Sequence, residues 1–192
     1  MEKPDAPSCE RNREPILAVL RDHFADRRAV LEIGSGTGQH AVYFAAALPH
    51  LRWQASDRSG NLAGIRAWLD EAALPNTPAP IAFDVSAAWP QQRFDAVFSA
   101  NTLHIMSWSD VERLFAGLPG ILTDDARLVI YGAFNYGGHY TSESNAVFNA
   151  WLKSQGAHQG LRDFEAVDAL ARLLGDHRLA PEHPYPAALE DA

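Results

Sequence analysis

The chemistry legible in this sequence rests on a few acids, three closely spaced glycines and a handful of imidazole and phenol side chains. Glu32 stands at the end of an apolar run and is followed by Gly34-Ser35-Gly36-Thr37-Gly38. Glycines in that rhythm let the backbone turn tightly and let a ligand approach bare N–H groups beside a helix start. Asp57 follows roughly 20 residues beyond the turn, the offset at which a carboxylate accepts hydrogen bonds from a ribose. Two such charge-assisted bonds are worth about 1.5–3 kcal/mol each. Asp84 ends another apolar run, where an acid can reach an exocyclic amine. Each feature also has a plainer reading: a tight strand-to-helix turn without ligand, a helix cap at Asp57, a turn residue at Asp84.

A second group lies further along. Asn101 and His104 occupy a short loop after the run 94–100, and Phe134, Asn135, Tyr136, Gly137, Gly138, His139 and Tyr140 fill the loop 133–141. His104 is the first candidate for a base or an acceptor-orienting residue, because histidine titrates near neutrality. Tyr136, His139 and Tyr140 come second, on a Gly-rich aromatic loop suited to a substrate lid. A structural histidine behind the site is the alternative at 104. His40, at a helix start, reads as structural or as a cofactor contact.

These residues need a scaffold that gathers them. Residues 11–24 carry apolar side chains at helical spacing, with Pro15 tolerated in a first turn and Asn12, Arg13 and Glu14 at or before the helix start. A first strand at 29–33 feeds the glycine turn and a helix over 39–48, stopped by Pro49. Strands follow at 51–57, 80–84, 94–100 and 126–132. Helices are expected at 61–73, from a Ser109/Glu112 capping box to about 118, at 143–154 and at 163–174. Alternating strands and helices argue a parallel sheet covered on both faces. The acids and both loops then fall at the carboxyl ends of strands, where such sheets bind ligands.

The bulk composition narrows the classes. A chain of 192 residues, 47% hydrophobic and 21% charged, suits one α/β core. A net charge of -8 argues against a nucleic-acid backbone as partner. The single Cys9 allows no internal disulfide, the N-terminal residues carry no apolar signal-peptide core, and the longest apolar run, 41–48, is far too short for a membrane span. The expectation is a soluble cytoplasmic protein with no bound metal.

The dinucleotide fingerprint G-x-G-x-x-G lacks its third glycine here, which speaks against a nicotinamide-dependent oxidoreductase. The acidic-x-Gly-x-Gly-x-Gly pattern from Glu32 to Gly38 instead looks like motif I of S-adenosylmethionine-dependent methyltransferases. Together with Arg11-Asn-Arg-Glu-Pro-Ile16, Leu51-x-Trp-Gln-x-Ser-Asp57, Ala100-Asn-x-x-His-Ile105 and Ser144-Asn145, it resembles the uncharacterised methyltransferase family that includes methyltransferase-like protein 26. The resemblance covers about residues 11–174. It implies a Rossmann-like class I methyltransferase sandwich of the α/β class and an S-adenosyl-L-methionine site. By that resemblance Glu32, Gly34, Ser35, Gly36 and Gly38 frame the methionine portion, Asp57 the ribose and Asp84 the adenine side. Asn101 and His104 form the floor near the methyl group. The acceptor, expected to be a small molecule, is not given. A cofactor-binding but catalytically silent protein is the second reading.

One departure stands out. Class I methyltransferases usually close the sheet with two more strands, and no strand pair is legible after the last helix. The expected domain therefore runs over 1–176, followed by a divergent Pro-rich tail at 177–192. Residues 178–191 resemble a segment of hormone-sensitive-lipase-type esterases, but the chain has no G-x-S-x-G elbow and no esterase activity follows. A sheet ending at the fifth strand would leave an apolar edge, open to homodimer pairing.

Overall fold

The computed structural model describes residues 3–174. In chain order it forms α1 (Pro7–His23), β1 (Ala29–Ile33), α2 (Gln39–Ala47), β2 (Arg52–Asp57), α3 (Leu62–Ala72), β3 (Ile81–Ala82) and β4 (Phe94–Ala100). There follow α4 (Trp108–Gly117), β5 (Leu122–Tyr131), β6 (Phe134–Asn135), α5 (Glu143–Gln155), β7 (Arg162–Asp163) and α6 (Phe164–Arg172). The main sheet has the order β3-β2-β1-β4-β5 with every pairing parallel. β6 and β7 form a separate parallel pair. The tail at 177–192, its esterase-like segment and the question of further strands there lie outside the described residues.

The central strands β1, β2 and β4 are buried on both faces, as parallel strands under two helical layers must be. Along β4, Ala96 and Phe98 enter the core shared with α1, α2 and α3, while Phe94 and Val97 enter the core shared with α4 and α6. On the first face Phe44, Trp53 and Phe98 meet with ring centroids 5.3–5.8 Å apart. Each such fully buried side chain contributes about 1.5–3 kcal/mol. These contacts fix α2, and so the turn that precedes it, against β1 and β2.

The order places β2 on one side of β1 and β4 on the other. The chain moves outward through β2 and β3, then returns to the far side of β1. The carboxyl ends of β1 and β4 therefore flank the topological switch point, where open α/β sheets leave a crevice for ligands. Ser99 and Thr102 hydroxyls both donate to the Ile33 carbonyl, at 2.9 and 3.3 Å, and hold the two strand ends together there.

Several expected boundaries shift for identifiable reasons. α1 starts at Pro7 rather than near residue 11, so Pro15 and Asn12 lie inside the helix. Pro15 removes the backbone bond to the Arg11 carbonyl, and the buried Ile16, Leu17 and Leu20 hold the helix regardless. The cap of α4 is Ser107, which accepts from the Asp110 amide at 3.1 Å, not Ser109. β3 is two residues long, and Leu62 rather than residue 61 opens α3 after a short 3₁₀ turn. β5 begins earlier, at Leu122, because its pairing with β4 slips between Phe94↔Leu122 and Ala96↔Arg127. The polar run Thr123-Asp124-Asp125 occupies that slip and hides the strand from a reading of hydrophobic pattern. No helix among the described residues is long and apolar enough to cross a membrane.

Candidate active site

The glycine turn is built by three glycines that do different work. All three have positive φ, at 75°, 58° and 96° for Gly34, Gly36 and Gly38, a region other residues enter at a cost. A Cβ on Gly34 would overlap the Thr102 hydroxyl, and one on Gly38 would lie 3.0 Å from the Ile65 Cα. Gly34 thus lets β4's loop approach β1, and Gly38 lets α3 approach the start of α2. A Cβ on Gly36 would meet nothing within 4 Å. Gly36 faces open space.

Beneath the turn, the Ser56 carbonyl accepts from the Gly34 and Ser35 amides, each at 3.0 Å. Glu32 is buried there. Its Oε2 accepts from the Ser35 hydroxyl at 2.9 Å and the Trp53 indole N–H at 3.0 Å. Burial lifts the Glu32 carboxyl to about 7, and the Asp57 charge adds to the rise against these two hydrogen bonds. Glu32 is therefore the support under the turn, joined to Ser35 within the chain's own network.

Asp57 ends β2 beside the turn. Its Oδ2 accepts from the Gly36 amide at 2.7 Å, and its Oδ1 from the Arg58 amide and the Asn61 side chain at 2.7 and 2.8 Å. Asp84 lies further out, accepting from the Ser86 amide and hydroxyl at 2.9 and 2.6 Å, which lowers its carboxyl. Arg58 Nε stands 4.0 Å from Asp84 in an exposed pair of little energetic weight.

On the other side of the crevice, Asn101 adopts φ 54° and its amide donates to the Tyr131 carbonyl at 2.9 Å. Asn101 Oδ1 and His104 Nδ1 converge on Gly132, at 3.8 and 3.9 Å from where its side chain would begin. His104 is buried, with the Phe148 ring edge-on at 5.2 Å. Burial, aided by the Arg162 charge, holds its imidazole down at about 4, so it is neutral at pH 7. Its loop is clamped from outside: the Gly160 amide donates to the His104 carbonyl at 2.9 Å, and Arg162 donates to the carbonyls of Leu103 and Met106.

The structure thus brings Glu32, Gly34, Ser35, Gly36, Gly38 and Asp57 into one cradle, and Asn101 and His104 to one point beside Gly132. Tyr136 and His139 are less closely placed. Tyr136 stacks on Phe164 at 5.2 Å, His139 pairs with it through backbone bonds, and neither has a hydrogen bond or ring contact with His104 among the described residues. Tyr140 is tied by its hydroxyl to Asn149 at 2.8 Å.

Sequence reasoning missed several partners. Gln39 reaches the chain's first residues, accepting from the Ala6 amide at 2.7 Å and donating to Asp5 at 2.8 Å. Residues 5–9 therefore lie across the turn, with Cys9 beside Thr37. His40 is bonded to Asn12 at 2.8 Å and lowered to about 4 by burial, which makes it a tether between α1 and α2. A concavity of about 410 Å³ between α3 and residues 77–80 contains none of these groups.

The fold has many counterparts. An O-methyltransferase family protein from Burkholderia thailandensis superimposes with a TM-score of 0.76 at 17% identity, over 88% of this chain and 52% of that one. The apo form of the S-adenosylmethionine-dependent methyltransferase SibL gives 0.74 at 23%, over 88% and 49%. PigF with SAH gives 0.73 at 19%, over 84% and 49%. The chain spans about half the length of these structures, and at such identities the likeness is one of fold. A family model described as "Protein of unknown function (DUF938)" matches residues 3–182.

Proposed function

The chain belongs to the DUF938 family of proteins of unknown function, and for this member we propose an S-adenosylmethionine-dependent methyltransferase acting on a small-molecule acceptor. The observation that carries this reading is the Gly36–Asp57 pair at the switch point: an open glycine face whose amide is held by the carboxylate at the next strand's end. That arrangement fits a nucleoside with no pyrophosphate. Asp57 Oδ2 receives one N–H and keeps a lone pair for a ribose hydroxyl. Gly36 leaves room where a side chain would block approach, and Asp84 stands on the adenine side. The resemblance to the family of methyltransferase-like protein 26 and the shared fold with named methyltransferases support the same reading.

When bound, the cofactor supplies a methyl group already activated on a sulfonium, so placement of the acceptor provides most of the acceleration. Asn101 Oδ1 and His104 Nδ1 bracket the position beside Gly132 where the acceptor's reacting group is held. The neutral imidazole of His104 accepts a hydrogen bond from an acceptor hydroxyl and fixes its direction. A base held at about 4 is too weak for full proton removal, so orientation is its role. Tyr136 and His139 serve on the acceptor side through the loop that leaves Gly132. The lone Cys9, which can form no internal disulfide, fits work in a reducing, cytoplasmic setting.

Isothermal titration with S-adenosylhomocysteine and with NAD tests the assignment. Binding of the first and not the second is expected, and the reverse would move the chain to the oxidoreductases.

A further inference from the structure

His104 is aimed without any hydrogen bond to its ring. Neither ring nitrogen has a partner among the described residues, and neither is sealed in the interior as Asn135 Oδ1 and Asp168 Oδ1 are. A histidine's tautomer and direction are ordinarily set by the bond its second nitrogen makes. Phe148 packs edge-on at 5.2 Å, which limits the ring's tilt but selects neither nitrogen. The aim at Gly132 must therefore come from the backbone that carries the ring.

That backbone is a single turn, in which the Ile105 and Met106 amides donate to the Thr102 carbonyl at 3.1 and 3.3 Å. Its other carbonyls go to one short segment. The Gly160 amide donates to the His104 carbonyl at 2.9 Å, Arg162 Nε to the Leu103 carbonyl at 3.1 Å, and Arg162 Nη2 to the Met106 carbonyl. Nη2 also donates to the His158 carbonyl at 3.0 Å. Arg162 is half-buried, and among the described residues no carboxylate pairs with it. Its charge is spent on main-chain oxygens, in bonds stronger than those of a neutral donor. A planar fork can hold two carbonyls at once, where a lysine offers a single point.

The segment is itself pinned. Asn149 Oδ1 accepts from the Leu161 amide at 2.8 Å, and Asn149 Nδ2 donates to the Tyr140 hydroxyl at 2.8 Å. Phe134 stands opposite Arg162 in the β6–β7 pair. The loops after β4 and β5 are thus fastened to the same few residues.

We propose that Arg162 is the positioning residue for His104: its guanidinium fork fixes the turn 102–106 so that the imidazole meets the acceptor beside Gly132. This rests on the reading of His104 as the residue that orients the acceptor. Arg162 acts through the turn and takes no part in the chemistry.

The test follows the His104 ring by NMR in the full chain carrying isotope-labelled histidine, its signal assigned by its loss in His104→Gln. In the wild type the titration midpoint should lie at about 4. Arg162→Lys keeps the charge and loses the fork. Its His104 midpoint should rise by about one unit or more toward the ordinary 6.5, because the freed turn lets water reach the ring. Its S-adenosylhomocysteine affinity should stay within about twofold of wild type, since the cradle shares no partner with Arg162. A midpoint that stays at about 4 in Arg162→Lys and rises only in Arg162→Ala assigns the effect to charge alone and overturns the clamp. Loss of S-adenosylhomocysteine binding together with the shift marks a general fault of folding and overturns it too. In the unaltered chain the Gly160 and Leu161 amides should be protected from hydrogen exchange. Exchange of the Gly160 amide at the rate of an unstructured one overturns the clamp, whether or not the variants fold. If the wild type binds no S-adenosylhomocysteine, the methyltransferase reading falls, and the histidine signals still decide whether Arg162 holds the ring.

Discussion

The Gly36 amide donates to Asp57 Oδ2 over 2.7 Å, so one carboxylate both closes the turn after β1 and faces the crevice beside it. Removing that carboxylate loses two things together. Asp57→Ala is expected to weaken S-adenosylhomocysteine binding by about 10–100-fold, the equivalent of one charge-assisted hydrogen bond. Asp57→Asn should lose less, because its amide oxygen can still receive the Gly36 N–H. Calorimetric titration of the two variants checks the order.

The glycines of the turn should separate folding from binding. Gly34→Ala drives a methyl group into Thr102 and should lower the urea midpoint of unfolding strongly. Gly36→Ala meets no neighbour and carries only the cost of its positive φ, about 1–2 kcal/mol. It should nonetheless abolish cofactor-product binding by filling the open face. If both variants lose stability equally, or if Gly36→Ala binds normally, the open face is not the binding face.

How far these roles were legible in the sequence follows from the range of the interactions. The turn could be read because Glu32 to Gly38 is local, and a glycine rhythm after an apolar run has few structural solutions. Asp57 could be read because strand ends in a parallel sheet align once the alternation is recognised. Asn12 could not: it stands 28 residues from His40, and only the packing of α1 on α2 joins them. The clamp of Arg162 on Leu103 and Met106 is longer still in sequence and involves only carbonyls, which leave no pattern. Glu32 was legible by its position before the glycine turn, but its burial against Trp53 and Ser35 depends on tertiary structure.

The buried titrating groups set opposing pH trends. Burial holds His40 and His104 at about 4 against an ordinary 6.5, and raises Glu32 to about 7 against 4.5. Between about pH 4.5 and 6.5 the unfolded chain binds more protons on the two histidines, while the folded chain binds more on Glu32. The histidines' contribution is lost as pH falls through that window, and that of Glu32 is lost as pH rises through it. The net is about one proton in favour of unfolding at low pH, so stability should rise with pH by about 1.4 kcal/mol per unit. Glu32→Gln removes the opposing proton and should roughly double that slope, measured from urea unfolding between pH 4.5 and 6.5. A slope that becomes shallower contradicts the burial of Glu32 as described.

His104→Ala should leave S-adenosylhomocysteine affinity unchanged and lower methyl transfer to the acceptor by about a hundredfold through loss of orientation. Single-turnover rates beside calorimetric affinities distinguish this from a fault in the cofactor cradle. Because the imidazole is already neutral, the wild-type rate should show no histidine limb between pH 5 and 8.

Thermal unfolding with and without S-adenosylhomocysteine, with NAD as control, tests the central claim most directly. At a hundredfold excess over Kd, a specific ligand adds about 2.7 kcal/mol of apparent stability, or roughly 5–10 °C for a domain of this size. S-adenosylhomocysteine alone should raise Tm, and Gly36→Ala should abolish the rise. A cooperative transition that S-adenosylhomocysteine does not move, or that NAD moves equally, would contradict the assignment of this crevice to S-adenosylmethionine.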